Sequence, residues 1–172
     1  MRYLLFLAIP LYLLDQATKW LVQHRIPYGQ EIPIISGFFS LVNVSNTGAA
    51  FSLLEGNNLL FSGLAVVAIL VVLWLLLRPA FTHDAKHQLT MLTQIALSLL
   101  LAGVAGNLTD RLFKGSVVDF LHFYYQQYAW PSFNVADSCI CVAAALLILG
   151  SFKSGPQPAQ NEVSDKDTKT TR

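Results

Sequence analysis

The run Leu59–Leu77 contains nineteen residues without a charge and stops at Arg78-Pro79. About twenty apolar residues are needed to cross the hydrocarbon of a bilayer, so this stretch predicts a membrane span and makes lipid one of the solvents the chain must satisfy. The whole sequence agrees. It is 54% hydrophobic and 12% charged, against roughly 25% charged for a soluble globular domain. The net charge of +1 comes from scattered basic residues. No Lys/Arg stripe interleaved with aromatics is present, so there is no basis for a nucleic-acid partner.

Three further spans follow. The segment 3–22 is apolar but carries Asp15, Gln16 and Lys19. A cleaved leader would need a small-residue processing site, which the LDQATKW stretch does not offer, so a retained span is expected. Asp15 and Lys19 are spaced i, i+4 on one helix face; they read equally well as a pair that offsets its own burial or as part of a site. The third span, 89–108, carries Ala102, Gly103 and Gly106 near an end made polar by Asn107, Asp110 and Arg111. Small residues so spaced let helices approach closely, either for packing or to admit a substrate helix. The fourth span, 133–152, has Asn134, Asp137 and Ser138 in its first turns. Residues 1–153 are expected to form a single membrane domain, and the polar stretch 154–172 a disordered tail.

Between the first two spans, residues 24–58 are punctuated by Pro27, Gly29, Pro33, Gly37 and Gly48, with a loose alternation over 38–45 that predicts a short strand. Asn46-Thr47-Gly48 by itself reads as a turn. His83 and His87 are i, i+4 in the loop after Arg78 and read as solvated residues. Cys139 and Cys141 read as small buried hydrophobes. No metal site or disulfide framework is expected from these spacings.

Four spans bring both termini to one side of the membrane. Arg2, Arg78, Lys86, Lys153, Lys166, Lys169 and Arg172 fall on that side, against Arg25, Arg111 and Lys114 on the other. Cytoplasmic loops are the basic ones, so both termini are expected in the cytoplasm. Asp15, Lys19, Asn46, Asn107, Asp110, Arg111, Asp119, Asn134 and Asp137 then converge near the outer leaflet. The connector between the third and fourth spans is rich in aromatics, Phe120, Phe123, Tyr124, Tyr125, Tyr128 and Trp130, which suit the membrane interface.

Asp119 and Asp137 each adjoin apolar sequence on either side of that connector. Carboxylates at membrane depth are expensive and tend to be functional. Two held together in a partly dry site share a proton. One can then activate a water while the other stabilises a developing oxyanion, without nucleophile, metal or cofactor. On the residues alone this hydrolase stands level with a proton or cation relay in which Asp15, Asp110, Asp119 and Asp137 serve a small transporter.

Motif by motif, the chain resembles the bacterial lipoprotein signal peptidases (signal peptidase II). The motifs are DQATK (Asp15–Lys19), NTGAAFS (Asn46–Ser52), GNLTDR (Gly106–Arg111), VVDF (Val117–Phe120) and FNVADS (Phe133–Ser138), in that order. The resemblance implies an all-α membrane protein of four transmembrane helices, with a small extracytoplasmic β-sheet and an interfacial loop or short helix between the third and fourth spans. It implies an aspartyl endopeptidase of the bacterial cytoplasmic (inner) membrane that removes the signal peptide of prolipoproteins just before their diacylglyceryl-modified cysteine. Asp119 and Asp137 match the catalytic pair. Asn46, Asn107, Arg111, Asn134 and Ala136 would line the pocket and orient the substrate backbone, supported by Asp15, Lys19 and Asp110. The implied partners are lipid-modified prolipoproteins, membrane lipids and the cyclic peptide inhibitor globomycin. No metal or cofactor is implied.

Overall fold

The computed structural model describes residues 3–48, 56–81 and 89–153. The loop histidines His83 and His87, the Ala49–Ser52 end of the NTGAAFS motif, and the tail lie outside them. Helix α1 (Ile9–Arg25) is entered through a wider π-helical segment, Leu4–Ala8. Pro10 lacks an amide hydrogen and its ring crowds the carbonyl four residues back, and the widened turn beside it relieves that conflict. Strands β1 (Glu31–Ile35) and β2 (Phe39–Asn46) follow, then helices α2 (Asn58–Phe81) and α3 (Met91–Lys114), strands β3 (Val117–Tyr125) and β4 (Tyr128–Ala129), and helix α4 (Val135–Lys153). Among the described residues, three stretches are long and apolar enough to cross a membrane: Asn58–Arg78, Met91–Lys114 and Val135–Phe152. In lipid a helix is the one open-ended element that satisfies its own backbone, and α2, with no charge before Arg78, can do little else.

α3 is the hub. It packs against α4, α2 and α1, whereas α2 makes extended contact with α3 alone. Two glycines permit the tightest crossings. A Cβ on Gly103 would run into the Ala136 carbonyl and the Ile140 side chain, and one on Gly106 would stand 2.6 Å from Asp15 Oδ2. The small residues of α3 therefore serve packing against α4 and α1, the first of the two uses open from the sequence.

The strands form one antiparallel arrangement in the order β1-β2-β3-β4. The connector before α4, expected as an interfacial loop or short helix, is instead a β-hairpin whose long strand pairs with β2. Its Val-Val-Asp-Phe-Leu alternation buries Val118 and Phe120 on one side, where Phe120 joins Val22 and Ile26 of α1 in a small core. Val117 and Asp119 on the other side are buried too, and a strand that can pair and bury its side chains is more stable there than an open loop. The fold is accordingly a set of long apolar helices with a small antiparallel sheet at one end. The aromatics of the connector divide: Phe123 stacks on Phe39 and Phe133, while Tyr125, Tyr128 and Trp130 point outward.

The β2–β3 register slips between Leu41 and Val44: Leu41 pairs with Leu121, but Val44 pairs with Asp119. One extra residue on β2 is a bulge, which re-aims side chains. Its Asn43 turns inward and donates from Nδ2 to the Ile26 carbonyl at 2.7 Å, tying the sheet to the end of α1. After the bulge the alternation is reset, so that Asn46, opposite Val117, shares a face with Asp119.

Candidate active site

The C-terminal ends of α1 and α3, the N-terminal end of α4 and the far end of β2 meet at one level, and the polar residues of the motifs converge there. Asp137 is fixed by the start of its own helix. Asn134 caps α4: its Oδ1 accepts the Asp137 amide at 2.9 Å, while Asp137 Oδ2 accepts the Asn134 amide at 3.2 Å. This is a reciprocal capping box in which the acid is also a site residue, and the Asn-Val-Ala-Asp spacing was the sequence signal for it. Asp137 Oδ1 accepts a further bond from Asn107 Nδ2 at 2.7 Å.

Asp119 comes from β3. Its Oδ2 accepts from Asn46 Nδ2 at 3.0 Å and its Oδ1 from Asn134 Nδ2 at 2.8 Å. Asn134 thus touches both carboxyl groups, Asp119 through its side-chain amide and Asp137 through its backbone amide, and its Nδ2 closes the triangle by donating to Asn107 Oδ1 at 3.3 Å. Asp119 is only 3% exposed. Burial, reinforced by the neighbouring charge of Asp137, pushes its carboxyl up to about 7, against the pull of its bonds from Asn46 and Asn134.

Behind these two lies an ionic layer. Lys19 Nζ donates to Asp15 Oδ2 at 2.9 Å, Asp110 Oδ2 at 3.1 Å and Asn107 Oδ1 at 3.0 Å, which uses all three of its protons. Asp15, Lys19 and Asp110 are at most 1% exposed. The two acids also hold backbone: Asp15 Oδ1 accepts the amide of Ala136 at 2.8 Å, and Asp110 Oδ2 accepts the amide of Val118 at 3.2 Å as well as the Lys19 ammonium. Each of these amides immediately precedes one of the pair, Asp137 or Asp119. Two contributors escaped sequence reasoning, Lys114, bound to Asp110 Oδ1 at 2.7 Å, and Gln16, bound to Asp15 Oδ2 at 3.0 Å. The i, i+4 spacing from Asp110 to Lys114 was legible; the Gln16 contact was not.

A cavity of about 430 Å³ opens in front of Asp137. Asn46, Gly48, Asn107 and Arg111 form its polar end; Phe61, Leu64, Ala65, Ala68, Val104 and Ile140 form its apolar wall. Arg111 spans the rim, donating from Nη2 to the Gly48 carbonyl at 3.3 Å, with its guanidinium 5.3 Å from the centre of the Phe61 ring. Asn134 and Ala136, expected in the lining, are buried behind it. A larger depression of about 600 Å³ near Gly56 and Leu60 has no ionisable group in its lining, so the smaller one is the candidate site. Of the two cysteines, Cys139 is buried as expected, but Cys141 faces outward, since two residues along a helix turn the side chain by about 200°.

The arrangement therefore supplies two carboxyl groups fixed by shared amides, an ion layer holding their backbones, and a half-polar cavity. Comparison with known proteins places it. Residues 7–153 match the family model of signal peptidase (SPase) II. The lipoprotein signal peptidase of Symbiobacterium thermophilum is 45% identical over 143 residues, covering 83% of this chain and 90% of that protein. That of Nitratidesulfovibrio vulgaris is 40% identical over 158 residues, covering 91% and 93%. A bacterial membrane enzyme solved at 2.3 Å resolution superposes with a TM-score of 0.78 at 27% identity, covering all of this chain and 96% of the other. With the family model spanning nearly all of the described residues and relatives matching at this level, the chain belongs to the signal peptidase II family.

Proposed function

We propose that the protein is a four-span aspartyl endopeptidase of the bacterial cytoplasmic membrane that removes the signal peptide from prolipoproteins, cutting just before the diacylglyceryl-modified cysteine, with Asp119 and Asp137 as its catalytic pair. The observation that carries this reading is the convergence of both carboxyl groups on Asn134, Asp119 on its side-chain amide and Asp137 on its backbone amide, with Asp137 lining the cavity. Asp119, with its carboxyl raised to about 7, holds the proton. Asp137, half-buried at a helix N-terminus where negative charge is favoured, is the base. It takes a proton from a water whose oxygen attacks the scissile carbonyl, while Asp119 gives its proton to the carbonyl oxygen. Collapse of the tetrahedral intermediate returns that proton to Asp119 and passes the one on Asp137 to the departing amine. Asn46, Asn107 and Arg111, on the polar rim, orient the substrate backbone. Asn134 and Ala136 fix the pair, and Asp15, Lys19 and Asp110 hold the backbones that carry it.

The spans run with both termini cytoplasmic and the site facing the outer leaflet. Supporting this are the excess of Lys and Arg on the terminal side and the gathering of all the buried charges at one end of α1, α3 and α4. A precursor anchored by its signal helix and its acyl chains reaches such a site laterally, in the company of membrane lipids. Globomycin is expected to compete for the same cavity. The deciding experiment incubates the purified protein with a diacylglyceryl-modified prolipoprotein. Cleavage to a product beginning at the modified cysteine, blocked by globomycin, is expected. An intact precursor would overturn the reading in favour of a proton or cation relay.

A further inference from the structure

Arg111 lines the same cavity as Asp137, and so long a side chain has the rotamer freedom to leave that place unless its surroundings hold it. Helix α3 gives it little support. Arg111 lies in the last turn of α3, where backbone carbonyls lack helical partners, and the chain swings away at Gly115 with a φ of 74°. The Arg111 carbonyl accepts two bonds there. One comes from the Gly115 amide at 3.2 Å, the other from Asn58 Nδ2, on the first residue of α2, at 3.1 Å. Three residues on, the Phe61 ring lies 5.3 Å from the Arg111 guanidinium. Residues i and i+3 share a helix face, so the first turn of α2 grips Arg111 at both ends, its backbone through Asn58 and its side chain through Phe61.

Asn58 is poorly suited to merely joining two helices. Its Oδ1 is buried and, among the described residues, has no hydrogen-bond partner; the same holds for Ser62 Oγ, one turn further along α2 on a residue 7% exposed. Unpaired buried polar atoms cost stability, and an apolar side chain of similar shape would remove that cost. What an apolar side chain at this position could not do is donate to the Arg111 carbonyl. We infer that Asn58 is a positioning residue for Arg111: its amide fixes the last turn of α3 so that the guanidinium meets the substrate backbone at the polar rim. Asn58 itself lies outside the cavity lining, so the entry of α2 sets the orientation of the substrate without touching it. This inference rests on the proposed peptidase activity and on the place of Arg111 in it.

Its test sets activity against stability. Asn58→Leu removes the donor and the unpaired oxygen together while keeping most of the side-chain volume. Its Tm in detergent is expected at or above the native value. Its kcat/KM for a diacylglyceryl-modified precursor should fall about tenfold, within what a misplaced orienting group costs. A contact that only fastens α2 to α3 would lower both quantities, and that result, or an unchanged kcat/KM, overturns the inference. Asn58→Ala carries the same expectation for kcat/KM, so the outcome does not hinge on how one variant folds. Combined with Arg111→Ala, it should cost nothing beyond Arg111→Ala alone, because residues acting through one another are not additive; losses that multiply overturn the inference. Ser62→Ala removes the other unpaired atom without touching Arg111 and should keep the native kcat/KM. An equal loss there would trace the effect to the α2 face and not to the bond at Arg111. The peptidase reading fails separately, only if the native protein leaves the precursor intact.

Discussion

Two pairs of aspartates, buried but for half-buried Asp137, lie in one network and are solvated in opposite ways. Asp15 and Asp110 share the Lys19 ammonium, and Asp110 has Lys114 besides. Asp119 and Asp137 share only amides, from Asn46, Asn107 and Asn134. A full positive charge holds a carboxylate ionised and still; neutral donors stabilise it without fixing its charge. The first pair is thus a fixture, and the second has the neutral surroundings that the proposed proton exchange requires.

The largest effect expected from this contrast is on cleavage. Asp119→Asn and Asp137→Asn should each lower kcat by about 10³ or more in protein that remains folded, the scale of an essential acid or base. Asp110→Asn should lower it less, and with a loss of thermal stability. If Asp110→Asn were as inactive as the other two and as stable as the native protein, the distinction between the pairs would collapse. Next comes Lys19→Met, which leaves buried Asp15 without a counter-ion and Asp110 with Lys114 alone. Thermal or denaturant unfolding in detergent should show a loss of about 3–5 kcal/mol, and an unchanged stability would show that Lys19 is not what neutralises them.

The third expectation concerns pH. Because Asp119 is raised from 3.8 to about 7 in the fold, the folded state holds its proton more tightly than the unfolded chain. Its contribution to stability is fully present below about 4 and is lost as pH rises through about 7. Asp119→Asn has no such proton, so its stability relative to the native protein should improve by up to ~4 kcal/mol between pH 4 and pH 8. Native cleavage should fall over the alkaline side of the same range, and a stability difference that does not vary with pH would remove the shared-proton picture. The smallest effect is that of Gly106→Ala, whose new Cβ would stand 2.6 Å from Asp15 Oδ2. Displacing that acid should cost about 1–3 kcal/mol and weaken the hold on the Ala136 amide. A neutral result would mean that α1 shifts freely and that Asp15 does not position α4.

The fixture was the more readable pair. Asp15 and Lys19 announce themselves by i, i+4 spacing, and Asp137 by its place at the start of an apolar helix. Asp119 was legible as an unusual charge but not as part of a strand, because β3 becomes a strand only by pairing with β2, about 75 residues earlier in the chain. The partnership of Asn46 with Asp119 depends on the bulge between Leu41 and Val44, which has no local signature in the sequence. α3 outruns its expected end at 108 and continues to Lys114. Asn107 and Asp110 looked like a terminus, yet they are buried against Lys19, so polarity there marks an internal site and not an exit. The apolar wall that α2 lends the cavity was invisible for the same reason: a uniformly apolar helix does not say which of its faces lacks a neighbour.

The strand that carries Asp119 sets where the chain can change length. Side chains alternate along β3, so one residue inserted or deleted between Gly115 and Asp119 would swing the carboxyl to the opposite face of the sheet, away from Asn134. Beyond it, the hairpin turns at Gln126 and Gln127, where Gln126 takes a φ of 54°, and the exposed tip points away from the cavity. Extra residues, or an affinity tag, inserted there lengthen a loop and leave the registry of the acid untouched. The same hairpin is therefore intolerant of insertion at its base and permissive at its tip, which marks the tip as the position at which to label or tether the protein.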